Sequence, residues 1–159
     1  MKRMETTLIL LKKEDKILLG RKKRGFGAGK YNGVGGKIEP GETIEEGMIR
    51  ETQEEINVTP TKYEKMGEVE FIEFFKGKKL NVIFHLFLCT EWEGTISESE
   101  EMDPKWFKVD QLPYDLMFED DSYWMPYVLE GKKIKAFFEF DENWKMLSYD
   151  IKELEECFV

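Results

Sequence analysis

Residues 36–58 read GKIEPGETIEEGMIRETQEEINV, and the reading of this stretch decides the fold. Thr43 and Glu46 stand at the spacing where a hydroxyl and a carboxylate each satisfy one orphan N–H of a first helical turn. The spacing predicts a helix opened by Thr43 and closed at Asn57, a residue able to take the left-handed conformation of a helix end. At about 100° per residue, Ile44, Met48, Thr52 and Ile56 fall on one arc, with Gly47, Arg50, Glu51, Glu54 and Glu55 on the other side. Glu51 thereby meets Glu54 at i+3 and Glu55 at i+4, contacts that repel by roughly a few tenths of a kcal/mol each unless a cation lies between them.

Ahead of this helix the composition changes abruptly. Gly25, Gly27, Gly29, Gly33, Gly35 and Gly36 crowd one short segment, which excludes regular helix and lets backbone groups approach an anion or a metal closely. A solvated acidic face is the ordinary reading of three glutamates in an acidic protein. The glycine loop beside them points instead to a hard divalent cation, which takes oxygen ligands. The loop contains neither G-x-G-x-x-G nor a Walker sequence, because Tyr31 occupies the needed glycine position and Ile38 follows Lys37.

Further out, Thr6 to Leu11 and Lys16 to Gly20 read as a β-hairpin turning at residues 12–15, and Val69 to Phe75 and Leu80 to Cys89 as a second around Lys76-Gly77-Lys78. Lys105 to Val109 reads as a short strand, and Lys135 to Phe140 with Lys145 to Tyr149 as a final hairpin. Pro126 is expected only in the first turn of a helix starting near Ser122. Strands on both sides of a central helix indicate a mixed α/β or α+β layer fold. With 159 residues, no linker and no repeat, one domain spanning 1–159 is expected.

The formal net charge of −9 argues against a nucleic-acid polymer as partner, since a backbone grip needs a broad basic face. Lys22, Lys23 and Arg24 read as a solvated basic run with one lysine near a ligand mouth. Cys89, Cys157 and the single His85 give no disulfide framework and no zinc set. His85 and Cys89 lie roughly 13 Å apart on a regular strand, too far for a catalytic pair. Met48, Met66, Met117 and Met125 read as core or pocket filler. The apolar run Leu8 to Leu11 is far too short for a signal or a membrane span, so a cytoplasmic protein without membrane partner is expected; a monomer is expected as well.

Gly36-x5-Glu42-x7-Arg50-Glu51-x-x-Glu54-Glu55 resembles the signature of the Nudix hydrolases. Thr52 replaces an apolar residue of that signature and Asn57 its last glycine, whereas Val58 fits. The stretch from Arg24 to Lys37 and the segment Asp120-Asp121-Ser122-Tyr123-Trp124 are similar to the animal MutT homologues, hydrolases of oxidised purine nucleoside triphosphates such as 8-oxo-dGTP. The resemblance runs from Thr7 to about Tyr149.

It implies an α/β/α sandwich with a mixed central sheet and conversion of such triphosphates to the monophosphate and pyrophosphate. Glu51, Glu54 and Glu55, with a carbonyl of Gly35 or Gly36 and support from Glu101, would hold Mg²⁺, with Mn²⁺ as a substitute. Glu42 and Arg50 would be structural, Arg50 acting as a strut to Glu42 or Glu54. Thr7, Lys22, Phe26, Asn32, Lys37, Phe71, Phe118, Asp120, Asp121 and Trp124 would bind substrate, aromatic faces stacking on the purine and polar groups reading its edge. Two close, partly buried carboxylates such as Asp120 and Asp121 can share a proton. A Nudix hydrolase of another nucleoside diphosphate derivative and a catalytically silent nucleotide-binding module are the alternatives.

Overall fold

β1 (Arg3–Lys13) alternates its apolar residues between two cores, and that alternation sets the layers. Leu8 and Leu10 pack with Trp124, Met125 and Val128 on one face, while Ile9 and Leu11 pack with Met48 and Ile56 on the other. Each such side chain taken fully from water contributes roughly 1.5–3 kcal/mol. Met48 and Ile56 belong to α1 (Ile44–Ile56), and Trp124, Met125 and Val128 to α2 (Asp121–Leu129), so a helix covers each face of the sheet. The molecule is known from a computed structural model, which describes residues 3–25 and 27–155.

The remaining strands are β2 (Lys16–Lys22), β3 (Tyr31–Asn32), β4 (Thr59–Phe75), β5 (Lys78–Glu93), β6 (Met102–Lys108), β7 (Lys133–Phe140) and β8 (Met146–Leu154). Their order is β3-β2-β1-β5-β4-β7-β8, with β6 on β2. β1 runs parallel to β5 and β4 parallel to β7, and the other neighbours are antiparallel, which makes the sheet mixed. The architecture is the expected α/β/α sandwich. No described helix is long and apolar enough to cross a membrane.

Three local readings change. The first hairpin is paired only at Lys12↔Ile17 and Lys13↔Lys16. Beyond that, β1 and β2 part, and the end of the glycine loop fills the gap. The Ile9 and Thr7 N–H groups donate to the carbonyls of Val34 at 2.7 Å and Gly36 at 2.9 Å, while β3 pairs with β2. The second and last hairpins are longer than expected, because their partner strands continue the ladder past the apolar runs. Pro126 lies in the second turn of α2, not the first. Its missing N–H leaves the Ser122 carbonyl without a helical partner, but Ser122 and Pro126 are both exposed, so water can meet that carbonyl.

Candidate active site

α1 begins and ends as its sequence predicts. The Thr43 hydroxyl accepts from the Glu46 N–H and the Glu46 carboxylate from the Thr43 N–H, and Asn57 closes the helix at φ 63°. Thr52 sits fully buried among apolar neighbours at no polar cost, because its hydroxyl donates to the Met48 carbonyl at 2.7 Å. Gly47 lies under Ile38, whose Cδ1 would be 2.3 Å from a Cβ there. The helix can therefore lie flat against the loop that precedes it.

Arg50 ties this helix to the loop. Its guanidinium donates twice to Glu42, at 2.6 and 3.0 Å, and to Glu51, Glu54 and the Lys37 carbonyl at 3.0, 3.2 and 3.1 Å. Such forked, charge-assisted bonds fix orientation as well as distance. The Arg50 bonds, followed by the Glu39 N–H, hold the Glu42 carboxyl below its ordinary range.

Glu51 and Glu55 form the inner pair. Glu55, expected on the side of α1 opposite Met48, is instead buried with it at 8% exposure, because seven residues are close to two full turns; burial, followed by the adjacent Glu51 charge, pushes it up to about 8. Two carboxyl groups packed together in this way are the donor chemistry that a hard divalent cation neutralises. Glu54 shares the face but is half-exposed and turned to Arg50. Among the described residues no three acidic, histidine or cysteine side chains already converge as a closed metal cage. Gly36 is the floor of the site, since a Cβ there would stand 2.5 Å from Cδ of Glu51. Its carbonyl accepts from the Thr7 N–H and retains a second lone pair. Glu101 reaches the cavity rim with its carboxylate on the Arg24 guanidinium, and that hydrogen bond holds it below the ordinary range.

A cavity of about 650 Å³ runs from these glutamates to an aromatic wall. β4 and β5 supply Phe71, Phe75, Leu80, Val82 and Phe84, and Phe118 closes another side. Phe118 packs where Gly27, at φ +81°, leaves no room for a side chain: a Cβ there would lie 2.8 Å from its ring. At the polar end Asp120 and Asp121 are 5% and 2% exposed. Asp120 accepts from the Trp124 indole N–H at 2.9 Å, and Asp121 from the Phe118 N–H at 3.1 Å. Burial pushes Asp120 up to about 6; burial and then the Asp120 charge push Asp121 well up. Asp120 stands at the N-cap of α2 yet makes no capping bond with its side chain, which leaves that carboxyl to the indole and the cavity. Asn32 accepts from the Gly33 N–H at 2.8 Å, and among the described residues its amide NH₂ makes no hydrogen bond.

The cavity lining thus brings together Thr7, Lys22, Asn32, Gly35, Gly36, Glu51, Glu54, Glu55, Phe71, Glu101, Phe118, Asp120 and Asp121. Two residues expected at the substrate are elsewhere. Trp124 is fully buried behind Asp120, where its indole needs the carboxylate as partner, and Lys37 is exposed, serving Arg50 with its carbonyl. Phe26 lies outside the described residues. Glu73, Phe84, Lys30 and Trp144 also line the cavity and were not anticipated. The period-two repeat from Phe71 along β4 was the signal for Glu73. His85 is on the α1 side of the sheet, its Nε2 2.6 Å from Glu5 Oε2, consistent with a structural role.

The NUDIX domain family matches residues 1–128. The oxidized purine nucleoside triphosphate hydrolase of mouse is 44% identical over 149 residues, covering 94% of each chain. The zebrafish protein of the same name is 40% identical over 150 residues, covering 94% of this chain and 95% of its own. Among solved structures, a MutT protein of Bacillus halodurans superposes with a TM-score of 0.81 at 29% identity, covering 94% of this chain and 97% of that one.

Proposed function

The chain belongs to the NUDIX family, and on that premise we propose that it hydrolyses oxidised purine nucleoside triphosphates to the monophosphate and pyrophosphate, using Mg²⁺. The observation that carries this reading is the single cavity joining the Glu51–Glu55 pair to an aromatic wall that ends at Asp120 and Asp121. A polyphosphate chain and a purine belong at the two ends of such a cavity. The names of the mouse and zebrafish relatives support the same substrate class.

Glu51, Glu54 and Glu55, with the Gly35 or Gly36 carbonyl, would hold the cation, and Mn²⁺ meets the same oxygen donors. When bound, it neutralises the polyphosphate and lowers the pKa of a bound water. Arg50 positions Glu51 and Glu54 without touching substrate, through the hydrogen bonds that link them to Glu42. Lys22 lines the cavity beside Glu55 and adds positive charge for the phosphates, whereas the Lys30 ammonium sits 5.5 Å from the Phe118 ring centroid on the aromatic side. Phe71 and Phe118 offer faces to the base, and Asn32, Asp120 and Asp121 read its edge with groups that both donate and accept. A polar pocket left unpaired by the wrong base rejects it more strongly than an apolar one, which is how selection between oxidised and ordinary purines arises here.

The test is a substrate panel under Mg²⁺ with pyrophosphate release as readout: 8-oxo-dGTP, 2-hydroxy-dATP, dGTP, dATP, a dinucleoside polyphosphate and a nucleotide sugar. The oxidised triphosphates should have the highest kcat/KM. Preference for the dinucleotide or the sugar would move the chain to another nucleoside diphosphate derivative, and silence on all six would make it a binding module.

A further inference from the structure

β4 sends alternate residues to the cavity, and in register with Leu80 on β5 one of them is Glu73. Its neighbours on that wall are Phe71, Phe75, Leu80 and Val82, all apolar. Among the described residues neither Glu73 oxygen has a hydrogen-bond or ion-pair partner. Asp120 and Asp121 differ, for each has an oxygen taken by a protein N–H. A carboxyl set without a partner in an apolar wall is costly unless a ligand satisfies it. Of the three carboxyl groups Glu73 alone keeps both oxygens open as acceptors, and the complement of such a group is a base rich in N–H donors.

Purines differ in that respect. A guanine-type base presents N1–H beside its 2-amino group, and oxidation at C8 adds N7–H. An adenine-type base presents the 6-amino group next to ring nitrogens that only accept. We propose that Glu73 is a specificity-determining residue whose uncommitted carboxyl takes an N–H of the base and biases the pocket toward guanine-type over adenine-type purines. The inference rests on the purine triphosphate reading given above. Burial, followed by the Asp120 charge, pushes the Glu73 carboxyl up to about 7, so its ionised form goes unsupported by the protein and is the form that an N–H donor of the base stabilises.

The experiment compares kcat/KM for 8-oxo-dGTP and 8-oxo-dATP, two bases oxidised at the same atom, in the wild type, Glu73→Leu and Glu73→Gln. The ratio should fall about tenfold in the leucine variant, the loss of one hydrogen bond to a charged or buried group. It should fall less in the glutamine variant, whose amide oxygen still accepts. Calorimetric binding of the two corresponding monophosphates, which needs no turnover, should show the same order. A ratio within twofold of wild type in both variants, or an equal loss for both bases, overturns the assignment. If the wild type hydrolyses neither triphosphate, the purine triphosphate reading itself fails, and the monophosphate-binding ratio alone then decides Glu73.

Discussion

A methyl group added at residue 36 would stand 2.5 Å from Cδ of Glu51 and 2.6 and 2.7 Å from its two oxygens, about an ångström inside normal contact. The obstructing atoms are the end of a side chain, so Glu51 gives way and the fold survives. Glu51 is also the carboxylate that touches both Arg50 and Glu55, and a displacement of about 1 Å at such a group costs on the order of 10²-fold in rate. Gly36→Ala should therefore lower kcat about a hundredfold while Tm stays within a few degrees. Gly35→Ala should do the reverse of that separation. Its Cβ would fall 1.9 Å from the Thr7 carbonyl oxygen, which is β1 backbone and cannot swing aside. Overpacking, with strain on the Thr7–Gly36 and Ile9–Val34 bonds, costs roughly 3 kcal/mol or more. At about 2–4 °C per kcal/mol for a chain of this size, Tm falls by about 6–12 °C. Pyrophosphate release at saturating Mg²⁺ and calorimetric melting of both variants make the comparison. Wild-type turnover in Gly36→Ala, or equal melting losses in the two variants, would refute the reasoning that Gly36 serves the carboxylate and Gly35 the strand.

Turnover should depend on added divalent cation, and Glu54→Gln or Glu55→Gln should lower it by at least about two orders of magnitude with the fold intact, because an amide keeps the shape and loses the charge; near-wild-type rates in EDTA would contradict this. Asp120→Asn should narrow the ratio of 8-oxo-dGTP to dGTP hydrolysis by about one to two decades, the cost of an unpaired pocket group, whereas a mere helix-capping role would lower Tm and leave the ratio alone. Glu73 titrates higher when folded, at about 7, than its ordinary 4.5, so the native state binds the extra proton and the charged form costs stability as pH rises through that window. Glu73→Leu should accordingly melt several degrees above wild type at pH 8, with the gain fading toward pH 5; a gain that is the same at both pH values would contradict the placement of this carboxyl.

What could be read from the sequence was local, or carried by the resemblance. The ends of α1 were legible because Thr43, Glu46 and Asn57 act within one turn of themselves, and the strut role of Arg50 because Glu42 and Glu54 lie eight and four residues away. The parting of β1 from β2 was not legible, since it depends on residues 34–36 inserting between strands distant from them in sequence. Strand lengths were underestimated for the same reason: ladder bonds extend past the apolar runs that announce a strand. Trp124 shows how an aromatic beside two aspartates can be mistaken for a stacking platform, when burial and the indole bond to Asp120 place it behind the site. Glu73 was legible in principle, because the alternation that puts Phe71 in the cavity puts Glu73 there too, but a lone acid among aromatic residues does not by itself announce a base pocket.

We propose that one cavity holds the phosphates at the α1 glutamates and the base at Asp120 and Asp121, which would fix the depth of the triphosphate and so the bond that is cut. Ion-exchange analysis of 8-oxo-dGTP turnover in Mg²⁺, followed from the first per cent of conversion, tests this most directly. Monophosphate and pyrophosphate should appear together in equal amounts, with no diphosphate and no free phosphate at any time. Stepwise loss of single phosphates, with the diphosphate accumulating first, would contradict it.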